Sequence, residues 1–263
     1  SKELLQEGRV AYEFRTTIVR QFHTNEDIIN IAKWLKGAKR YYLQGFVDRD
    51  QVRDRSLSAY TEAELEEILK AVKEGLHIRV IGDYDVDGIC SSYILTKGFQ
   101  MLGAQVDTAI PHRIHDGYGL NEHLIEEAKR EGVGMIVTCD NGIAAAPQIE
   151  LANSLGMRVI VTDHHEVPCE VTENGEKNYL YVNADAVVDP HRPDCVYPYK
   201  DLCGAGVAYK FIRHLYRVME LPWEGEDAYM DILALGTVCD IMPLTDENRI
   251  FVKEGLQMLK RTK

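Results

Sequence analysis

A chain of 263 residues, 45% of them hydrophobic, can bury the core of one large α/β domain, with or without an appendage, and needs no disulfide or metal staple to fold. Its formal net charge of −12 excludes a broad basic face tracking a nucleic-acid backbone, although cations held by an acidic cluster can reverse that sign locally. No apolar run reaches the roughly 18 to 20 residues that cross a bilayer, SKELLQEGRV has no signal-peptide core, and the six cysteines form no CxxC pair, so a reduced, soluble, cytoplasmic protein is expected.

The first 75 residues read as a β-α-β-α segment. AYEFRTTIV (11–19) and RYYLQGF (40–46) predict strands, while TNEDIINIAKWLKG and TEAELEEILKAVKEG predict helices capped by Thr24 and Thr61. From residue 78 short apolar runs alternate with helical patterns. IRVIGD (78–83), AQVDTAIP (104–111), GMIVTCDNG (134–142), MRVIVTDHH (157–165) and YLYVNADAVVDP (179–190) predict strands. Between the first four lie ICSSYILTKGFQMLG, NEHLIEEAKREG and AAAPQIELANSLG, each of crossover-helix length and each ended by glycine. The expected fold is therefore α/β, a parallel Rossmann-like sheet with helices on both faces, and ligands in such sheets gather beyond the carboxyl ends of the strands. CGAGVAYKFIRHLYRVM and DAYMDILALGTVCDI predict helices, joined by ELPWEGE. ENRIFVKEGLQMLKRTK is an amphipathic segment without a closing signal, expected to be a helical linker. Two domains are expected, 1–72 and 73–263.

The strand ends carry the chemistry. Asp83, Asp85 and Asp87 of GDYDVDG alternate, so where a strand turns into a helix their carboxylates can converge. Close carboxylates repel and raise one another's pKa, a conflict that a divalent cation resolves; an acidic turn capping the next helix is the plainer alternative. Further strand ends tilt the balance toward metal: Asp140 in VTCDNG, and Asp163, His164 and His165 in VTDHH. Asp240, at the end of the helical run LALGTVCD, can bring another carboxylate to the same edge. Oxygen-rich ligation with one or two imidazoles suits manganese or magnesium, with zinc or cobalt also compatible. Enough ligands for two ions about 3.5 to 4 Å apart imply in-line attack on phosphorus without a covalent nucleophile, with Asp140 a plausible bridge. Arg113, between His112 and His115 in PHRIHDGYGL, suits bidentate contact with a phosphate, or is part of a solvated loop. Gly204 and Gly206, before a predicted helix, offer backbone amides to an anion, or serve close helix packing.

DYDVDG, CDNG, TDHH and GTVCDIMPL, in this order and spacing, together with VDPHRPDCVYPYKDLCGAGVAYKF, resemble the DHH phosphoesterases and within them the RecJ-type exonucleases. The resemblance covers about residues 73–263. It implies a two-metal, manganese-favoured hydrolase, with magnesium or cobalt possible, that degrades single-stranded DNA from the 5′ end to mononucleotides, as in DNA repair and recombination. It further implies that Asp85 and Asp87 each hold one metal, that Asp83 supports the first, that Asp140 bridges, and that His164 and Asp240 complete the second site. His165 would then face the scissile phosphate and Asp163 would orient the histidine pair. Family members continue into a second domain with a glycine-rich GGH-type motif, which this chain stops short of.

Residues 1–72 resemble instead the C-terminal part of a radical-SAM activating enzyme of anaerobic ribonucleotide reductase, without the CxxxCxxC cluster motif. No cysteine precedes Cys90, so no radical chemistry is expected there. The chain thus reads as a join near residue 73. Two alternatives to the exonuclease stay open: a phosphodiesterase or phosphatase on short oligonucleotides or small nucleotides, and a chimeric scaffold carrying an inherited, inactive site.

Overall fold

The computed structural model describes the backbone of residues 14–18 and 41–45, and residues 68, 70–72, 74–172, 174–219, 221 and 229–260. The chain divides into two compact units, Ser1–Asp54 and Arg55–Lys263. In the first, β1 (Phe14–Ile18) and β2 (Tyr41–Gly45) pair in parallel. The helix expected from Thr24, the cap at Thr61 and, apart from Leu221, the ELPWEGE connection lie outside the described residues.

The second unit is built on a five-stranded, all-parallel sheet in the order β4-β3-β5-β6-β9. Its strands are β3 (His77–Ile81), β4 (Gln105–Ala109), β5 (Met135–Cys139), β6 (Arg158–Thr162) and β9 (Ala186–Val188). The crossover helices are α1 (Val86–Met101), α2 (Glu122–Arg130) and α3 (Ala146–Ser154), followed by α4 (Gly204–Val218), α5 (Met230–Cys239) and α6 (Asp246–Leu259). Every residue of β5 is buried, as a strand covered on both faces must be. Alternation along it divides the core. Met135, Val137 and Cys139 join Phe99, Phe211 and Leu233 of α1, α4 and α5, whereas Ile136 joins Leu124, Ile125 and Ile149 of α2 and α3. Each of these fully covered side chains contributes about 1.5 to 3 kcal/mol of burial, which offsets the ordering of the chain. Ile68 and Ala71, ahead of residue 73, are buried in the first of these cores.

One expected strand differs. Of YLYVNADAVVDP only Ala186–Val188 joins the sheet, while β7 (Cys169–Val171) and β8 (Lys177–Tyr179) form an antiparallel hairpin. The intervening chain directs its polar groups to β6 and α3. Asp185 Oδ2 accepts from Val159 N at 2.7 Å, and Asn183 O accepts from Asn153 Nδ2 at 2.7 Å, so these residues act as anchors at the sheet edge.

The chain order places β3 between β4 on one side and β5 on the other. The connection leaving β3 runs to β4 and the one leaving β5 runs the opposite way to β6, which opens a crevice beyond the carboxyl ends of β3 and β5.

Candidate metal centre

Asp83 follows β3 by two residues, and burial raises its pKa against the backbone amides of Tyr84 and Gly119, which favour the anion. Its Oδ1 is buried without a hydrogen-bond partner among the described residues. Asp85 is the N-cap of α1, where Oδ1 accepts from Gly88 N at 2.9 Å. The capping carboxylate is on an exposed residue and keeps a second oxygen for other work.

Asp87, in the first turn of α1, points inward to the start of α4. Its Oδ2 accepts from Gly204 N at 2.5 Å and its Oδ1 from Ala205 N at 2.9 Å. Even so, burial raises its pKa, with His164 and these amides opposing. Glycines permit the approach. A Cβ on Gly204 would lie 2.8 Å from Asp140 Cβ, and one on Gly236 of α5 would lie 2.7 Å from Asp87 Oδ1. The Gly204 amide, expected as a phosphate ligand, is thus directed to Asp87. Gly206 packs against Leu202, where a Cβ would sit at 3.3 Å.

Asp140 follows β5 in the left-handed region, at φ 59°, a conformation that aspartate tolerates better than most residues. Its amide donates to Thr162 O at 3.1 Å, which extends the pairing with β6 and fixes the turn. Burial, then Asp87, Asp85 and Asp163, push its pKa far above the carboxylate range. His164 is also buried, and its Nε2 lies 2.9 Å from Asp140 Oδ1, 3.7 Å from Asp87 Oδ2 and 3.8 Å from Asp240 Oδ2. Asp240 ends α5. Burial, then Asp87, raises its pKa, and its Oδ2 has no hydrogen-bond partner among the described residues.

Asp163 organises the histidine pair. Oδ2 accepts from Ile143 N at 2.9 Å, while Oδ1 accepts from His164 N at 2.8 Å and lies 2.7 Å from His165 Nδ1. Burial works to raise its pKa, but the His165 contact and these amides outweigh it and hold the carboxyl low. Reciprocally, the bond to Asp163 raises the pKa of half-exposed His165 against burial.

Three sets of donor atoms each fall within 4.8 Å of one another: Asp83, Asp85 and Asp140; Asp87, His164 and Asp240; Asp140, His164 and His165. Asp140 occurs in the first and last, and His164 in the last two. Two buried oxygens without a partner among the described residues and four carboxyl groups with raised pKa values are a donor set that a divalent cation would neutralise. The donor set is oxygen-rich with imidazole and fits a hard or borderline divalent ion.

Arg113, expected at a phosphate, has its guanidinium carbon 5.2 Å from the Tyr84 ring centroid. Tyr84 stands edge-on to Tyr118, which stands edge-on to His165. Sequence reasoning missed Tyr118, whose hydroxyl donates to Asp140 O at 3.1 Å and lies 3.4 Å from His165 Nε2. Its signal was local: glycines with φ +79° and +66° flank it in DGYGL and allow the loop to turn in. Also missed was Asn141, whose Nδ2 donates to both Ile81 O and Cys139 O and ties β3 to β5 at the crevice. Asp189, just beyond β9, obeys the strand-end rule and was passed over; burial pushes its pKa to about 7. Near it, His191 Nδ1 lies 2.6 Å from His164 O and steadies the histidine pair from behind.

Comparison with known proteins matches residues 77–237 to the DHH family, N-terminal domain. The chain belongs to the DHH family. It is 40% identical over 195 residues to the single-stranded-DNA-specific exonuclease RecJ of Bacillus subtilis, covering 74% of this chain and 23% of the relative. It is 35% identical over 212 residues to RecJ of Escherichia coli, covering 77% and 35%. Among solved structures, a RecJ exonuclease bound to manganese superposes with a TM-score of 0.63 at 34% identity, over 74% of this chain and 46% of that one. RecJ of Thermus thermophilus in complex with Mn2+ gives 0.59 at 32%, over 76% and 28%. The chain thus spans about a quarter to a third of the length of these two curated relatives. Among the described residues no helix is long and apolar enough to cross a membrane.

Proposed function

We propose that residues 73–263 form the hydrolytic domain of a RecJ-type exonuclease, a divalent-metal-dependent enzyme that removes mononucleotides from the 5′ end of single-stranded DNA. The observation that carries this reading is the pair of adjoining donor sets, Asp83, Asp85 and Asp140 in one and Asp87, His164 and Asp240 in the other, with Asp140 Oδ1 2.9 Å from His164 Nε2. Two ions are expected, manganese before magnesium or cobalt, with Asp140 reaching both. Such ions supply Lewis acidity to the phosphoryl oxygens and lower the pKa of the attacking water.

The chain's own residues do the positioning. Asp87 is fixed by the amides of Gly204 and Ala205, so its carboxylate geometry is set before any ion arrives. Asp163 locks His165 through Nδ1 and leaves Nε2 to face a non-bridging phosphate oxygen, next to the Tyr118 hydroxyl. Arg113, beside Tyr84, adds a bidentate phosphate donor at the mouth. Single-stranded DNA supplies the matching phosphodiester, and local cations offset the repulsion that a chain of net charge −12 would otherwise exert.

The test is manganese-dependent release of mononucleotide from 5′-labelled single-stranded DNA, run beside dinucleotides and beside Asp140→Asn. Release from the long strand by wild type, lost by a factor of at least about 1,000 in the variant, is the expected result. Hydrolysis of dinucleotides alone would overturn the exonuclease reading and leave a small-nucleotide phosphodiesterase.

A further inference from the structure

Tyr118 is held firmly by its ring and loosely by its hydroxyl. The ring stands edge-on to Tyr84 and to His165, with centroids 6.3 and 6.2 Å away. Its backbone is fixed as well. The amide of Gly119 donates to the Asp83 carboxylate, and a Cβ on Gly119 would lie 3.1 Å from Asn141 Cβ, so the loop rests on the turns that follow both β3 and β5. Each contact of the hydroxyl, by contrast, is long. It lies 3.1 Å from Asp140 O and 3.4 Å from His165 Nε2, whereas a well-formed O–H···O bond closes to about 2.7 or 2.8 Å.

Asp163 engages His165 Nδ1 at 2.7 Å, so Nε2 is the ring atom left to face a substrate, and the Tyr118 hydroxyl stands beside it. Asp140, His164 and His165 offer donor atoms within 4.8 Å of one another, which places His165, and Tyr118 with it, at the candidate metal centre. An anionic oxygen received there accepts a charge-assisted O–H···O⁻ bond. That bond is shorter and roughly twice as strong as the neutral bond to the Asp140 carbonyl that it replaces. Burial, then Asp140, Asp163, Asp83 and Asp85, push the phenol pKa upward, so the hydroxyl keeps its proton and remains a donor. With 54% of its surface exposed, the side chain is open to an incoming strand.

We propose that Tyr118 is a catalytic residue whose hydroxyl, alongside His165 Nε2, binds a non-bridging oxygen of the scissile phosphate. The proposal rests on the phosphodiesterase reading above and adds a substrate contact to that site. In the free protein the hydroxyl donates to the Asp140 carbonyl; when the strand binds, its proton turns to the phosphate. Long contacts of this kind in a free site tighten in the substrate complex. Because the ring is already fixed, little reorganisation accompanies the exchange, the condition under which one donor contributes most to rate. The alternative role is a brace for the left-handed turn at Asp140, φ 59°, and it entails a different loss on removal.

The test is Tyr118→Phe, which keeps the ring and removes only the hydroxyl. At saturating manganese, kcat on 5′-labelled single-stranded DNA should fall by about 100-fold, the usual cost of losing one such donor. Manganese affinity by calorimetry and the melting temperature should stay at their wild-type values. With manganese present, the variant should also bind thymidine 5′-monophosphate about tenfold more weakly, the effect of one hydrogen bond to a charged group. Manganese affinity that falls in step with activity, with full kcat regained at saturation, would make the hydroxyl a brace and overturn the proposal. An unchanged kcat would overturn it too. If wild type hydrolyses no DNA, the exonuclease reading falls separately and the nucleotide titration decides: weaker binding by Tyr118→Phe supports the donor, while equal affinity, or no binding by either protein, overturns it.

Discussion

At the residue scale the candidate site sets the pKa values of its carboxyl groups apart. Burial raises Asp83, Asp87, Asp140 and Asp240, whereas Asp163 is held low by His165 and backbone amides. A carboxyl raised in the folded state contributes stability that is fully present below its unfolded pKa near 4 and is lost as pH rises through the folded value. The metal-free protein should therefore melt at progressively lower temperature from about pH 5 to pH 8, and saturating manganese, which competes with the protons, should flatten or reverse that slope. A metal-free melting temperature that rises over this range would show the four carboxyls to be ordinary. Asp163→Asn removes the negative charge beside His165 Nδ1, so an NMR titration should find the His165 pKa lowered. Stability should fall by about 1 to 3 kcal/mol, because buried amides of Ile143 and His164 lose a charged partner. The strand-end aspartates were legible because each directly follows an apolar run. Tyr118 was not, because its reach to Asp140 and His165 depends on a loop whose path two glycines set.

At the element scale, helix termini converge on one carboxylate. The N-termini of α1 and α4 and the middle of α5 close around Asp87 through Gly88, Gly204 and Gly236, positions where a side chain would overlap Asp83, Asp140 or Asp87 itself. Gly204→Ala and Gly236→Ala should each cost about 1 to 3 kcal/mol by overpacking, read from denaturant unfolding, and should weaken manganese binding because Asp87 is displaced. Full stability combined with native metal affinity in both variants would show that the helices have room to spare. From the sequence, the GxG before α4 could be assigned either to an anion or to packing. The structure directs the Gly204 amide to an anion within the chain, the Asp87 carboxylate, a pairing that separates its partners by 117 residues and leaves no local signature. The helices and the first four strands of the sheet were legible from periodicity alone. The β7-β8 hairpin was not, since Tyr179 and Val187 sit in one apolar-rich stretch, divided by long-range bonds at the Asn183 carbonyl and the Asp185 carboxylate.

At the scale of the whole molecule, strand order decides where the chemistry sits. With β3 flanked by β4 and β5, the crevice opens where Asp83 and Asp140 leave the sheet, and β6 delivers Asp163, His164 and His165 to the same edge. Alternating strands and helices already implied a candidate site beyond the carboxyl ends of the strands, whereas the strand order that opens the crevice between β3 and β5 was not readable from the sequence. Occupancy of the site is a question of binding. A ligand that binds only the folded state raises its stability, by about 2.7 kcal/mol at a concentration of 100 times Kd, and manganese should do so here. The most direct measurement is the stoichiometry of manganese binding to the full chain by titration calorimetry, with Asp140→Asn as the comparison. Two ions per chain, falling to one or none in the variant, is the expected result; no binding to wild type, or two ions bound equally well by the variant, would contradict a dinuclear centre that shares Asp140.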